Sequence, residues 1–454
     1  MTVAVLGGGV TGLTAAWRLS AAGHSVRLFE AGPRLGGSIR TECADGWLVE
    51  AGPNSIQEDP PEIGALIREL GLGDERIEAS PQARNRYIAL AGGLRALPSP
   101  AAPLEFITTP MFSASAKWRI SRESARGPLA RVQDVSVGAF MRDHFGEEVV
   151  ERVVQPFVSG IYAGDPERLS ARYAFPRIWE AERTVGSLIR AGGHAAKRRR
   201  AEGLPAAPAL ISFRKGMQAL TDAVAARLPE GCVALGADVR ILEPGSAARW
   251  RVRWAGARGE DSAEFDSVVA ALPAPALARL GIGATGAAPL AGLGAIEHPP
   301  VASVFVGYRR DQVSHPLDGF GALVPATQRR SILGVIFNST LFGGRAPGGH
   351  VALTALAGGS LQPEVARLPP DELALRVCAD LGALIGARGR PAFIRQTLWP
   401  RAIPQYNLGH GAHRDAMAAC ERAHPGLLIG GSARDGISVP SCILSGAALA
   451  KRVS

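Results

Sequence analysis

The chain has 454 residues, enough for about three structural units or two large ones. It is 46% hydrophobic and 20% charged, which excludes a disordered chain, and its 55 glycines are aperiodic, which excludes collagen. The net charge is +9, and the segment from Arg86 to Arg200 carries 18 Lys and Arg against 11 Asp and Glu, so an acidic partner or surface is expected.

The first strand is predicted at Thr2 to Leu6, an apolar run with β-branched members of the kind buried in a parallel sheet. Gly7-Gly8-Gly9-Val10-Thr11-Gly12 follows at once, then a helix through Leu13 to Leu19, then a second strand, Ser25 to Phe29, ending at Glu30. In this order the glycines shape the turn, admit a pyrophosphate to the backbone and let the helix pack on the sheet. The helix N-terminus offers free N–H groups and partial positive charge to phosphates. Glu30 follows Gly12 by 18 residues, where a carboxylate accepts ribose hydroxyls and repels a 2′-phosphate. The segment therefore predicts a dinucleotide site, for NAD or FAD rather than NADP.

Further elements follow in order. Ile63, Leu66, Ile67 and Leu70 predict an amphipathic helix over 60–70, ended by Gly71. Tyr87 to Leu90 and Leu94 to Leu97 predict a β-hairpin, followed by a Pro-rich stretch from Pro98 to Pro110. Residues 111–200 read as mainly helical. A helix is predicted from Gln218 to Leu228, a strand from Val233 to Leu242 returning to the first sheet, and a buried strand from Ser267 to Leu272 stopped by Pro273. Residues 300–360 suggest an antiparallel sheet. Leu427 to Ile429 then precedes a final helix from Ser441. The cofactor unit is thus assembled from the start, middle and end of the chain.

Five scattered cysteines, Cys43, Cys232, Cys378, Cys420 and Cys442, suggest neither a disulfide framework nor a zinc site and fit a reducing cytosol. The nine histidines show no metal spacing, and His410 reads as structural. The opening strand leaves no room for a signal peptide, and no apolar run of 18 residues predicts a spanning helix.

Arg34-Leu35-Gly36-Gly37-Ser38 resembles the segment that covers FAD in the flavin amine oxidase and protoporphyrinogen oxidase superfamily, and Gly46 to Ser55 resembles the strand and turn beside its flavin. Several blocks resemble the protoporphyrinogen oxidase family in particular: Asn85-Arg86-Tyr87-Ile88, Phe157 to Asp165, Phe213 to Leu220, Gly319 to Pro325 and Ile403 to His410. The resemblance is colinear over essentially the whole chain. It departs at Gly431 to Ile443, where Ser432 and Arg434 to Gly436 replace the usual polar loop, and at Leu356, where a methionine is frequent.

The resemblance implies an α/β fold: a Rossmann-like FAD-binding domain (1–80, 208–260 and 405–454), an α+β substrate-binding domain (81–100 and 261–404) and a helical membrane-associating domain (101–207). It implies FAD held by Gly7, Gly8, Gly9, Val10, Thr11, Gly12, Glu30 and Ala31, by Arg34, Gly37 and Ser38, by Gly52, Pro53, Asn54 and Ser55, and by Val239, Trp399, Ile437, Ser438 and Val439. Arg86 takes the family's propionate-binding place. Phe320, Gly321, Leu323 and Leu356 take its apolar walls, and Gly160 a backbone position facing pyrrole nitrogens. The implied reaction is three two-electron oxidations of protoporphyrinogen IX to protoporphyrin IX, with hydride taken by flavin N5, O2 as final acceptor, hydrogen peroxide as by-product and no side chain as catalytic acid or base. Coproporphyrinogen III oxidation is the near alternative, and an amine oxidase, a carotenoid desaturase or a flavin-free scaffold the more distant ones. The implied setting is haem biosynthesis in the cytoplasm, peripheral on the cytoplasmic face of an anionic membrane, with no nucleic acid. Hand-off to a ferrochelatase and a homodimer stay open.

Overall fold

In this computed structural model the described residues are 1–98, 103–205, 207–246, 249–257 and 259–453. Residues 99–102, inside the expected Pro-rich stretch, lie outside them.

Strand β1 (Thr2–Leu6) leads into helix α1 (Val10–Ala21) and strand β2 (Ser25–Glu30). They belong to a five-stranded parallel sheet in the spatial order Val233–Leu235, β2, β1, Ser267–Ala270, Leu427–Ile429. Alternate side chains of β1 serve opposite faces, as the two-residue strand period requires. Val3 and Val5 join a core with Leu13 and Leu19 of α1, Ile63 to Leu70 and the C-terminal helix Val439–Arg452. Ala4 and Leu6 join a second core with Trp250, Trp254, Leu277, Leu293 and Met417. The C-terminal helix crosses α1 so closely that a Cβ at Gly446 would fall 2.3 Å from the carbonyl oxygen of Thr11.

Two expectations need correction. The run Val233 to Leu242 is two strands, because Gly236 turns through a left-handed conformation (φ 67). Val233–Leu235 pairs with β2, whereas Asp238–Pro244 enters a separate four-stranded sheet. The expected boundary at 261 also shifts: Ser267–Ala270 lies beside β1, and Ala274 to Ile296 pack in the second core of the nucleotide unit.

A seven-stranded sheet carries the other large core. Its order is Phe393–Trp399, Val301–Arg309, His350–Gly358, Ile332–Ile336, Gly319–Leu323, Asn85–Leu90, Gly93–Ala96. Only the pairing of Gly319–Leu323 with Asn85–Leu90 is parallel. One face of the sheet is covered by the helix Pro370–Ile385 through Leu373, Val377, Leu381 and Ile385.

The helical part reaches the other side of the sheet through Ile88, which packs with Met111, Phe140, Val154 and Val158. Its centre is polar as well as apolar. His144, only 2% exposed, bridges the buried carboxylates of Glu123 (2.9 Å) and Glu182 (3.1 Å), and Arg131 also donates to Glu182. Two π-helical turns, Val150–Val154 and Val158–Tyr162, interrupt the following helix, the second carrying Gly160. Among the described residues no helix is long and apolar enough to cross a membrane.

Candidate active site

The nucleotide turn is built as its sequence implies. Gly12 must be glycine, since a Cβ there would lie 1.9 Å from the Gly7 carbonyl oxygen. Gly9 caps α1 with no side-chain cap, the first turn holds no acid, and a Cβ at Gly9 would meet nothing within 4 Å. The helix end with Val10 and Thr11 therefore presents unpaired N–H groups to open space. The Glu30 carboxylate accepts from Gly8 N–H and Gly32 N–H, both at 2.7 Å. Each oxygen keeps a further lone pair for a ribose hydroxyl. Ala31 is exposed beside it.

Arg34 does not reach into the cleft. Its guanidinium donates to the carbonyls of Leu35 (2.9 Å), Ile39 (3.0 Å) and Gly37 (2.6 Å), so it shapes the loop that sets exposed Gly37 against Gly9 and carries exposed Ser38 toward Gly52. Val239 packs at the edge of the second core, close to where Ala237 N–H bonds the Glu30 carbonyl at 2.9 Å. Ser438 caps the C-terminal helix by accepting from Ser441 N–H (3.1 Å), with Ile437 before it and Val439 as the first helical residue. The divergent loop ahead of it is pinned by Tyr406. That hydroxyl donates to the Ser432 carbonyl (2.5 Å) and accepts from Gly436 N–H (2.9 Å). His410 stacks on Tyr406 at 4.0 Å between ring centroids, and burial pushes its imidazole down to about 4. A neutral ring packed face to face with a phenol fits the structural reading.

Gly52 to Ser55 forms the junction between the nucleotide unit and the large sheet. Trp399 Nε1 donates to the Ala51 carbonyl at 2.7 Å, and Asn338 Nδ2 donates to Asn54 Oδ1 at 2.5 Å. The Asn54 amide itself donates to the Gly52 carbonyl (3.2 Å), with Pro53 holding the turn between them. Asn338 and Tyr406 were not singled out from sequence as site residues. Asn338 sits on a four-residue helix whose neighbours in sequence carry no motif, so only the fold reveals it. Its Oδ1 is buried without a partner, an acceptor suited to a bound group.

The large sheet organises the predicted substrate residues into rows. Ile88, Leu323, Gly334, Leu356 and Ser303 stand side by side across five strands. Two residues along, Arg86, Gly321, Ile336, Thr354 and Phe305 form a second row on the same face. The intervening row, Tyr87, Ala322, Val335, Ala355 and Val304, turns to the opposite face and its core. Phe320 is the extra residue of a β-bulge, since Gly319 pairs with Asn85 and Gly321 with Arg86. The bulge turns Phe320 toward the Arg86 side, where the guanidinium carbon lies 6.0 Å from its ring centroid. Gly321 holds φ 152, with Val335 O 2.1 Å from where a Cβ would stand. Gly160 closes on this face from the helical part, its virtual Cβ 2.4 Å from Leu323 Cδ2. Arg86 is exposed and has no ion pair among the described residues, whereas Arg84 lines a separate cavity of about 710 Å³ with Asp318, Thr340 and His350.

Similarity to known proteins agrees with this architecture. The sequence pattern of the flavin containing amine oxidoreductase family matches residues 10–454. The chain is 33% identical to the mitochondrial protoporphyrinogen oxidase of Nicotiana tabacum, covering 98% of this chain and 93% of that one. It is 27% identical to coproporphyrinogen III oxidase of Bacillus subtilis, covering 98% and 96%. A crystal structure from Exiguobacterium, of a candidate protoporphyrinogen oxidase, superposes with a TM-score of 0.83 at 24% identity over 99% of this chain and 98% of that one.

The chain belongs to the flavin containing amine oxidoreductase family.

Like its family it is a flavoprotein oxidoreductase, and its cofactor is FAD. The site as built fits that group: an uncapped helix end for the pyrophosphate, a carboxylate with free lone pairs for the ribose, and a buried amide acceptor at the junction with the large sheet. No cluster of metal-binding side chains occurs among the described residues, and all five cysteines are free thiols.

Directly before Ala51, Glu50 is buried. Burial pushes its carboxyl up to about 7, although Thr41 Oγ1 (2.7 Å), Met217 N–H (2.8 Å) and nearby Arg345 act to lower it. A raised carboxyl stabilises the fold below its ordinary range and loses that contribution as pH rises through about 7. The thermal midpoint of the native protein, relative to Glu50→Gln, is therefore expected to fall between about pH 5 and pH 8. Parallel pH profiles for the two proteins would show instead that Glu50 titrates as an ordinary surface carboxyl.

Proposed function

We propose that this chain oxidises protoporphyrinogen IX to protoporphyrin IX. The observation that carries the reading is the sheet face itself: an exposed Arg86, with no ion pair among the described residues, stands beside Phe320, in one row with the apolar Ile336 and next to the row that carries Leu323 and Leu356. A flat apolar macrocycle with carboxylate arms needs such a wall and such a cation. The guanidinium takes a propionate through two parallel hydrogen bonds, fixing orientation as well as adding affinity. Leu323 and Gly160 meet where the helical part closes on this face, and the glycine, lacking a side chain, leaves its backbone free to approach the pyrrole nitrogens. Bound FAD supplies the two-electron acceptor for each of three steps, with three O2 reduced to three hydrogen peroxide. The chain's own contribution is positioning and exclusion of water, so no side chain serves as acid or base.

A second reading has a specific observation behind it. Arg95, on the edge strand opposite Ile88, is another exposed cation on the same face and would suit the additional carboxylates of coproporphyrinogen III. Porphyrin fluorescence from the two porphyrinogens, measured side by side, separates the readings. A higher kcat/KM is expected with protoporphyrinogen IX, and the reverse ranking transfers the assignment. Arg86→Ala is expected to raise KM on the order of tenfold with kcat little changed, because the contact persists through the reaction. Flavin content should stay constant, and Arg84→Ala should be silent.

We further propose that the helical part rests on an anionic membrane surface. Ile107 and Trp118 are 65% and 62% exposed, and Arg122 lies 4.6 Å over the Trp118 ring. The helix Leu188–Ala201 buries no residue and ends in Lys197, Arg198 and Arg200. Two other cations of this part turn inward: Lys117 donates to the carbonyls of Ile107 and Thr109 at 2.7 Å, and Arg199 pairs with Asp59 at 2.9 Å. Exposed apolar groups beside cations suit an interfacial anchor. Co-sedimentation with phosphatidylglycerol vesicles at low salt, lost at high salt and weakened by Trp118→Ala, is the expected result. Absence of binding to anionic vesicles would remove the proposal.

A further inference from the structure

We infer that Asp318, together with Tyr87 and Asn85, is a positioning latch that fixes Arg86 and Phe320 on the substrate face of the large sheet. The inference rests on Arg86 as the cation for a substrate carboxylate.

Asp318 stands immediately before the bulged segment Gly319-Phe320-Gly321. Its carboxylate accepts from the Tyr87 hydroxyl at 2.6 Å and from Asn85 Nδ2 at 3.1 Å, and the same amide donates to Tyr87 Oη at 3.1 Å. The Asp318 carbonyl receives Asn85 N–H at 3.5 Å. Three of these hydrogen bonds tie the segment before Gly319 to the neighbouring strand, where the sheet pairs in parallel and the register slips by a residue.

The backbone at this point is strained. Leu317 holds a left-handed φ of 57, uncommon for a branched side chain, and its carbonyl takes the Thr340 hydroxyl at 2.7 Å. Gly319 lies so close to the neighbouring strand that a Cβ would stand 2.6 Å from the Asn85 carbonyl and 2.8 Å from the Tyr87 ring. A conformation of this kind persists only when its surroundings over-determine it. The latch supplies that determination, with His315 set edge-on against Tyr87 at 5.1 Å.

Side-chain alternation then transmits the latch to the site. Tyr87 points to the face opposite Arg86, so the clamp holds the strand from behind while Arg86 stays free in front. The bulge makes Phe320 share that front, at 6.0 Å from the Arg86 guanidinium carbon. Without the clamp the extra residue at Phe320 can move along the strand, and Phe320 and the guanidinium then leave their common face. Asp318 and Tyr87 do not touch the substrate in this account. They act through Arg86 and Phe320, which predicts an effect on affinity rather than on turnover.

The test is a double-mutant cycle on the flavin-loaded enzyme, with protoporphyrinogen IX as substrate and flavin occupancy and thermal midpoint measured for every variant. Tyr87→Phe, which removes one hydroxyl and keeps the ring packing, is expected to raise KM about three- to tenfold with kcat within about twofold. Asp318→Asn keeps an acceptor for Tyr87 and should be milder than Asp318→Ala. In an Arg86→Ala background Tyr87→Phe should add nothing further, because the residue it positions is gone. If Arg86→Ala raises KM but Tyr87→Phe does not, or if Tyr87→Phe raises KM equally in both backgrounds, the latch is overturned while the role of Arg86 stands. If Arg86→Ala leaves KM unchanged, the reading of Arg86 fails, and the latch fails with it.

Discussion

The parallel sheet built on β1 is the constraint from which the rest of the molecule follows. Its five strands come from residues 2–6, 25–30, 233–235, 267–270 and 427–429, so no one segment can form it alone. Every excursion of the chain must leave and re-enter this sheet. The closing helix Val439–Arg452 then lies against α1 at a distance only glycine permits at position 446. That contact places the N-terminus of the last helix near the N-terminus of α1, so both ends of the sequence converge on the nucleotide turn. Buried on both faces, the sheet gives the turn at Gly7 to Gly12 a rigid support, which dinucleotide recognition by backbone N–H groups requires.

The large sheet is joined to this support by a few directional bonds. Trp399 reaches the Ala51 carbonyl, Asn338 reaches Asn54, and the fully buried Arg345 donates to Ser212 Oγ (2.8 Å) and the Phe213 carbonyl (3.0 Å). All three start on the large sheet or the loops beside it and end on the nucleotide unit. They fix the distance between the flavin side of the cleft and the rows carrying Arg86, Ile336, Leu323 and Leu356. Directional polar contacts suit this role, because a purely apolar interface would tolerate sliding.

Much of this was legible in the sequence where a local rule has one physical solution. Gly-x-Gly-x-x-Gly between a buried strand and a helix leaves little choice, and β1, α1 and β2 lie where the pattern predicts them. The strand at Ser267–Ala270 was equally visible, but its place beside β1 was not, because strand order depends on partners far away in sequence. The split at Gly236 was hidden in an apparently continuous run. Arg34 shows a further limit: an arginine beside glycines invites a phosphate, yet here three nearby carbonyls take its donors. The bulge at Phe320 and the pairing of Asn338 with Asn54 depend on register, which composition does not report.

The central claim is that a carboxylate-bearing porphyrinogen bound against the Arg86 face delivers electrons to the flavin bound at the Gly7 to Gly12 turn. The direct measurement is anaerobic rapid mixing of the purified flavoprotein with protoporphyrinogen IX, following flavin absorbance and porphyrin fluorescence together. The account predicts bleaching of the flavin in step with porphyrin formation, and return of its absorbance when O2 is admitted. A flavin that stays oxidised while the porphyrinogen is consumed, or that bleaches with a primary amine and not with the porphyrinogen, would contradict it.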